Sequence, residues 1–358
     1  MVEWENIKLE TLMRIETGSR NTEDKINDGC YPFFVRSNEV ERINDYAYDC
    51  EAVLTAGDGV GTGKVFHYIN GKFNAHQRVY VMSQFNGIDG KYFYYYFSCN
   101  FLDEVAKYTA KSSVDSVRRA MIADMEIPLP PLPEQRRIAA VLSDTDALIA
   151  AMEKLIAKKS AIKKGTMQEL LTGKRRLLGF RGKWVEKKIG DCLIVSHGQS
   201  QKGIEILNGK YPILATSGEI GRTNYYLYDK PSVLIGRKGT IDRPLFMEIP
   251  FWTIDTLFYT IINDDFSTKY LYYLFCMIEW NKYNEASGVP SLSAKVIENI
   301  DIILPTTIEE QTAIASILSD MDAEIDALTK KLNKIKQIKQ GMMSELLTGR
   351  IQLTRNSC

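Results

Sequence analysis

Glu134-Gln135-Arg136-Arg137-Ile138-Ala139 and Glu310-Gln311-Thr312-Ala313-Ile314-Ala315 open two stretches that keep one register, 176 residues apart. They close on Glu169-Leu170-Leu171-Thr172-Gly173 and Glu345-Leu346-Leu347-Thr348-Gly349, with no gap between. A repeat of this kind decides what counts as a domain before the rest of the chain is read. In the second stretch Ile314, Leu318, Met321, Ile325, Leu328, Leu332 and Ile335 recur at steps of three and four, one apolar stripe along one face of a long helix. Ile138, Leu142, Thr145, Ile149, Met152 and Ile156 trace the same stripe in the first. Pro128, Pro130, Pro131 and Pro133 predict that no helix begins before Glu134, while Gly173 and Gly349 stand where C-terminal caps belong. About 38 residues at about 1.5 Å each give a helix on the order of 57 Å long, the length of a spacer. Each copy needs a partner for its stripe, and the other copy is the simplest one. Core helices of one large domain are the alternative reading.

The repeat extends beyond the helices, with shifting offsets. Trp4 answers Trp184, Gly29-Cys30-Tyr31-Pro32 answers Gly209-Lys210-Tyr211-Pro212, and Ser37 answers Ser217. Lys91-Tyr92-Phe93-Tyr94-Tyr95 matches Lys269-Tyr270-Leu271-Tyr272-Tyr273. Loops have changed length while the frame was kept. The expected division is a first domain over 1–130, a first long helix over 131–176, a second domain over 177–306, a second long helix over 307–351 and a tail over 352–358. Both domains read as mixed α/β, so the chain is α+β. Strands are expected at Val53-Leu54-Thr55, Val79-Tyr80-Val81-Met82, Ser232-Val233-Leu234-Ile235 and Leu257-Phe258-Tyr259-Thr260. The aromatic blocks Tyr92–Phe97 and Tyr270–Phe275 are expected to be helices packed on those strands; stacking on unpaired bases is the sharper alternative.

The 358 residues carry 45 basic and 45 acidic side chains, so bulk positive charge does not mark a nucleic-acid partner. Local basic faces remain open, with Arg20, Arg36, Lys64 and Arg78 in loops of the first domain and Lys202, Arg222, Arg237, Lys238 and Arg243 in the second. Asp144, Asp146, Asp320, Asp322, Glu324 and Asp326 gather near the starts of the helices. The longest apolar run, Leu271 to Ile278, is too short to span a bilayer, and Met1-Val2-Glu3-Trp4 begins no signal peptide. Cys30, Cys50, Cys99, Cys192, Cys276 and Cys358 form no Cys-x-x-Cys pair, which suits reduced thiols and a cytoplasmic location.

Catalytic patterns fail on inspection. Gly57-Asp58-Gly59-Val60-Gly61-Thr62-Gly63-Lys64-Val65 resembles a phosphate loop but lacks the required residue types at Asp58 and Val65, and Gly236-Arg237-Lys238-Gly239-Thr240-Ile241 fails too. A tight loop presenting backbone amides and a lysine to DNA, or a plain turn, are the remaining readings. His67, His76 and His197 lie far from any repeated cysteine or carboxylate, so neither a metal site nor a nucleophile triad is expected.

Two globular domains, each followed by a long helix that opens Pro-Glu-Gln or Glu-Glu-Gln and closes Glu-Leu-Leu-Thr-Gly, resemble the specificity subunit of type I restriction-modification enzymes. The resemblance covers essentially the whole chain and is most specific at Leu129-Pro130-Pro131-Leu132-Pro133-Glu134-Gln135-Arg136-Arg137-Ile138-Ala139 and from Tyr211-Pro212-Ile213 to Gly239-Thr240-Ile241. It implies two target recognition domains, helices packed as an antiparallel coiled coil, and a pseudo-twofold relation between halves. It also implies a non-catalytic chain that binds an asymmetric, bipartite double-stranded DNA target. Two methyltransferase subunits and restriction/translocase subunits would be the partners. S-adenosylmethionine, ATP and Mg would belong to those partners, with no cofactor in this chain.

Base readout calls for Arg to guanine and Asn or Gln to adenine. The candidates are Arg20, Asn21, Arg36, Ser37, Asn38, Lys64, Gln77 and Arg78 in the first domain. Gln199, Ser200, Gln201, Lys202, Ser217, Arg222, Arg237, Lys238, Thr240 and Arg243 are those of the second. The Lys64 and Lys238 loops, like Ser37 and Ser217, are expected at matching places. Gly165 and Gly341 are expected at close approaches or bends of the helices. A coiled-coil scaffold with protein-binding domains is the rival from another class; an enzyme fused to its own recognition domains is a third.

Overall fold

A computed structural model describes residues 4–59, 61–108 and 116–353. Val60, Met1-Val2-Glu3 and, from the expected tail, residues 354–358 with Cys358 lie outside the described residues. Both repeated stretches are uninterrupted helices of 39 residues, Leu132–Leu170 and Ile308–Leu346. The first begins at Leu132, two residues before the Glu134 bound expected from the prolines. Pro133 falls inside its first turn, where a missing N–H removes no intrahelical bond, and Pro131 O accepts Glu134 N–H at 2.8 Å and Gln135 N–H at 3.1 Å. Gly173 and Gly349 have φ of 71° and 72°, the left-handed conformation that ends a helix. A Cβ would lie 3.2 Å from the Trp184 ring at Gly173 and 3.1 Å from the Trp4 ring at Gly349. The repeated tryptophan and the repeated glycine are therefore one device, made twice.

The chain divides into two compact units, Met1–Glu153 with Lys330–Cys358, and Lys154–Thr329. Each long helix thus contributes one half to each unit. In the first unit the core joins Phe93, Phe97, Phe101 and Ile127 to Ile138 and Leu142 from the first long helix and Leu346 and Leu347 from the second. In the second unit Tyr270, Phe275 and Trp280 pack with Ile314, Leu318, Met167 and Leu170. Neither domain closes its core without both helices, which explains why the apolar stripe is kept in register over so many turns. Burying each such side chain stabilises by about 1.5–3 kcal/mol.

The first domain holds a six-stranded sheet in the order Arg14–Thr17, Val79–Ser83, Tyr48–Ala56, Phe66–Ala75, Tyr31–Phe34, Val40–Ile43. All its pairs are antiparallel except Tyr31–Phe34 with Phe66–Ala75, where Phe33 faces Asn74. The second domain repeats this order in two sheets. One is Leu193–Ser196, Leu257–Ile262, Ser232–Gly236, Leu245–Met247; the other is Gly218–Thr223, Tyr211–Ala215, Trp252–Thr253. The long strand Phe66–Ala75 is here broken between Met247 and Trp252, a gap that contains Pro250, whose missing N–H cannot join a ladder. The expected strands all fall inside observed ones. The aromatic blocks lie in helices Gly90–Ala106 and Thr268–Phe275, with Tyr92, Phe93, Phe97, Tyr270 and Phe275 buried, so the base-stacking reading is overturned.

The acidic residues expected near the helix starts sit several turns in, and lysines of the facing helix segment pair with them. In the first unit Lys339 Nζ lies 2.6 Å from Asp146 and Lys336 Nζ 2.7 Å from Glu153. In the second, Lys159 Nζ lies 2.7 Å from Glu324, and Lys163 pairs with Asp322. Numbers rise along one segment as they fall along its neighbour, so the segments are antiparallel in each unit. Tyr95 OH donates to Asp146 Oδ2 at 2.8 Å and Tyr273 OH to Asp322 Oδ2 at 2.7 Å, fastening the domain helix to the same node.

Burial, above all, pushes the phenols of Tyr92, Tyr95, Tyr270 and Tyr273 far above their ordinary 10.0. Unfolded, they ionise near pH 10; folded, they hold their protons well beyond it. Stability is therefore intact below pH 10 and lost as pH rises above it, at about 1.4 kcal/mol per pH unit for each such tyrosine. Alkaline unfolding followed by phenolate absorbance should show ionisation and loss of structure together, not separately. Among the described residues no helix is long and apolar enough to cross a membrane.

Candidate nucleic-acid interface

In the first domain the turn His76-Gln77-Arg78 gathers most of the expected residues. His76 N–H donates to Phe34 O at 2.9 Å and Gln77 N–H to Arg20 O at 2.8 Å, while the Gln77 amide donates to Asn21 Oδ1. Arg36 and Arg78 converge on Asp58: Arg36 Nη1 stands 2.9 Å from Oδ1 and Arg78 Nε 3.6 Å from Oδ2. Burial, followed by the charge of Arg36, lowers the His76 pKa from its ordinary 6.5. The neutral ring accepts Arg78 N–H on Nδ1 at 3.0 Å and so fixes the start of that arginine. Arg20 pairs with Asp45. Ser37 Oγ donates to Glu39 O at 3.1 Å, and exposed Asn38 follows it. Lys64 sits apart, on a turn whose Gly63 abuts Leu102.

In the second domain Gln199 N–H donates to Thr253 O at 2.8 Å, and Trp252 Nε1 donates to Gln199 O at 2.9 Å. Ser200 Oγ accepts Lys202 N–H at 3.3 Å, with Gln201 half-buried between them. Arg237 Nη1 lies 2.5 Å from the Asp255 carboxylate. Ser217, Lys238 and Arg243 are exposed and Thr240 is half-buried. Beside Lys238 a cavity of about 420 Å³ is lined by His197, Arg237, Glu285, Ser291 and Lys295 among others.

Shared hydrogen bonds settle which residues correspond. Gly57 and Arg237 donate N–H to Arg78 O and Thr256 O, at 2.7 and 2.8 Å, and their own carbonyls accept Val117 and Leu292 N–H at 2.7 and 2.9 Å. Gly59 and Gly239 follow with φ of 77° and 90°. Asp58 is therefore the counterpart of Lys238, and Arg78 of Thr256; Lys64 does not stand at the place of Lys238 as expected. The second-domain loop does not present these amides free: Arg237 and Lys238 N–H both donate to Thr256 O and Gly239 N–H to Pro290 O, so neighbouring segments take up the donors. What this loop offers is side chains.

Arg222 has a second occupation. Its Nε donates to Gly209 O at 2.7 Å, Nη2 to Lys210 O at 3.1 Å and Nη1 to Glu219 at 3.0 Å. Arg42 does the same in the first domain, to Gly29 O at 2.9 Å and Cys30 O at 3.0 Å. The pair braces the repeated Gly-x-Tyr-Pro turn, and its presence in both domains was the signal for it. Asp58, His76 and Lys295 are not among the interface candidates read from sequence; only the fold brings them beside the arginines and lysines. Among the described residues no group of three His, Cys, Asp or Glu side chains is placed to hold a metal ion.

A family model described as the type I restriction modification DNA specificity domain matches residues 1–159 and 181–337. The EcoDI specificity subunit of Escherichia coli is 34% identical over 161 residues, 45% of this chain and 34% of that protein. The putative MjaX specificity subunit of Methanocaldococcus jannaschii is 27% identical over 280 residues, 70% and 65% of the two chains. The MjaVIII specificity subunit of the same organism is 26% identical over 377 residues, 92% and 84%. The chain thus spans 34% and 65% of the first two relatives. The crystal structure of the type I restriction-modification S subunit from M. genitalium matches with a TM-score of 0.72 at 18% identity, over 96% of each chain. At that identity the likeness is one of fold. With its two repeated domains and most of each repeated helix covered by the family model, the chain belongs to the type I restriction-modification DNA specificity family.

Proposed function

We propose that this chain reads an asymmetric, bipartite duplex DNA target, one half-site per domain, and positions two methyltransferase subunits and restriction/translocase subunits on it. The observation that carries the reading is the pair of corresponding loop sets, alike in backbone and unlike in side chains. Phosphates would meet Arg20, Lys64, Lys202, Lys238 and Arg243, whereas Asn21, Arg36, Ser37, Asn38, Gln77, Arg78, Gln199, Ser200, Gln201, Ser217, Arg237 and Thr240 have the chemistry for base edges. Arg222 would act by bracing its turn. Helices of fixed length would set the unspecified gap between half-sites, as dimer spacing does elsewhere. No reaction is assigned to the chain; methylation, ATP and S-adenosylmethionine belong to the partners.

The first long helix offers a partner exposed apolar residues in each unit. Val141 and Leu148 in the first are 37% and 48% exposed, and Leu155 and Ile162 in the second 39% and 46%, all additional to the buried stripe. The methyltransferase subunit is the occupant we assign to them. Gly165 and Gly341 have nothing within 4 Å of where a Cβ would stand among the described residues, so of the expected close approaches or bends, no close approach is made within the chain. Gly165→Ala and Gly341→Ala should each stabilise the isolated chain by roughly 1 kcal/mol, and weaken methyltransferase assembly where a partner helix approaches. Hydrogen exchange and a binding titration measure the two effects; destabilisation by either substitution would contradict the open space.

The test of the function is a methylome. Coexpression with the methyltransferase should place modified adenines at one asymmetric, two-part motif. A continuous palindrome, or methylation by this chain alone, would reject the reading.

A further inference from the structure

The position occupied by Asp58 carries opposite charge in the two domains. In the first, Asp58 lies between Arg36 and Arg78, its side chain 25% exposed against 44% and 65% for theirs. In the second, hydrogen bonds equivalent to those of the first place Lys238 and Thr256 at the corresponding points, and Gly239 has Thr216 Oγ1 beside it where Gly59 has Arg36 Nη1. The Thr256 hydroxyl is buried and has no hydrogen-bond partner among the described residues, so it gives nothing to a ligand. Lys238 is exposed and makes no side-chain hydrogen bond or ion pair among the described residues. One backbone design thus presents two guanidiniums on a shared carboxylate in one copy and, in the other, a free ammonium beside one guanidinium that Asp255 holds.

An acidic side chain on a surface that faces phosphate lowers affinity for every sequence. Asp58 stands between two arginines, where what it supplies is orientation. A guanidinium held on one edge keeps its remaining N–H groups in a fixed direction, and a forked donor recognises guanine O6 and N7 only when so directed. A lysine is a mobile point charge that suits phosphate and discriminates bases weakly. The carboxylate also has a cost when the bases are wrong, because phosphate repulsion is then not offset, and this widens the difference between correct and incorrect sequences.

We infer that Asp58 is a positioning residue that aims Arg36 and Arg78 at the first half-site, and that the exchange of this cluster for Thr216, Lys238 and Thr256 makes the two half-sites differ there. This rests on the DNA-reading function proposed above. The chain assembled with its methyltransferase subunits is offered duplexes randomised across both half-sites, and the bound fraction is sequenced. Asp58→Asn keeps shape and removes charge; it should reduce discrimination at one or two base pairs of the first half-site about tenfold, leave the second half-site unchanged and raise affinity for unrelated DNA. Arg36→Lys keeps charge and removes the fork; it should lose the same discrimination while the salt dependence of binding stays that of the parent chain. Lys238→Ala should weaken binding evenly across sequences. Wild-type selectivity in both Asp58→Asn and Arg36→Lys, within twofold at every position, would make the cluster a plain structural ion network and overturn the inference. A parent assembly that selects no bipartite sequence would instead remove the function on which the inference stands.

Discussion

Replacing Arg176 by methionine is expected to lower the stability of the second unit by about 3–5 kcal/mol, the penalty for stranding a buried charge. Glu310 is 1% exposed, and its carboxylate is held from one side by Arg176, Nε at 2.7 Å and Nη2 at 2.8 Å. Trp184 Nε1 adds one weaker contact at 3.4 Å. Among the described residues no other positive charge lies at bonding distance of Glu310, so methionine leaves a buried carboxylate without a counterion. The double substitution Arg176→Met with Glu310→Leu should recover most of the loss, since a buried ion pair seldom outperforms well-packed apolar groups of similar volume. Amide exchange within residues 154–329 is the suitable measurement, because a two-unit chain need not unfold in one step. A loss under 1 kcal/mol in the single variant would mean that Glu310 is solvated in practice and that the repeated Glu-Gln is not anchored in this way.

That pair also marks where sequence reading reached its limit. The stripe from Ile314 to Ile335, the strands and the aromatic helices were legible, because each depends on a local period that burial enforces. The role of Glu310 was not, since its partner lies 134 residues away and nothing local distinguishes a buried glutamate from a solvated one. The repeat still held a usable sign. Residues kept in both halves, such as Glu134, which accepts Leu353 N–H, and Glu310, Arg42 and Arg222, or Gly173 and Gly349, prove to hold the frame. Positions that differ between halves at equivalent points of the backbone, Asp58 against Lys238 and Arg78 against Thr256, are where the function we propose would have the domains choose different bases. Reading Lys64 against Lys238 by their glycine-rich surroundings missed this, because the first loop is longer and composition does not fix register within a loop. The interface loops were named from residue chemistry, but their mutual pairing, Arg36 and Arg78 on Asp58, Gln77 on Asn21, needed the fold.

The second large effect is expected at the glutamines that follow those glutamates. Gln135 is fully buried; its Oε1 accepts Asp89 N–H at 2.7 Å, and its Nε2 donates to Pro130 O at 2.7 Å and Gly87 O at 3.1 Å. One amide thereby ties the entry of the first long helix to the residue that caps the aromatic helix Gly90–Ala106. Gln311 repeats the design with fewer bonds, accepting Ser267 N–H at 2.9 Å and donating to Pro305 O at 3.0 Å. Leucine at either place fills the volume but abandons backbone groups that water reaches poorly, at about 1–3 kcal/mol for each one left unpaired. At the lower part of that range, about 1–2 kcal/mol per group, Gln135→Leu should cost about 3–6 kcal/mol in the first unit and Gln311→Leu about 2–4 kcal/mol in the second. Glutamate at position 135 tests the same geometry differently, since it keeps the acceptor and loses both donations, and it should fall between wild type and leucine only if it takes up a proton. An effect of Gln311→Leu larger than that of Gln135→Leu, measured by exchange in each unit, would show that something other than the count of abandoned backbone groups sets the strength of the joint between helix and domain.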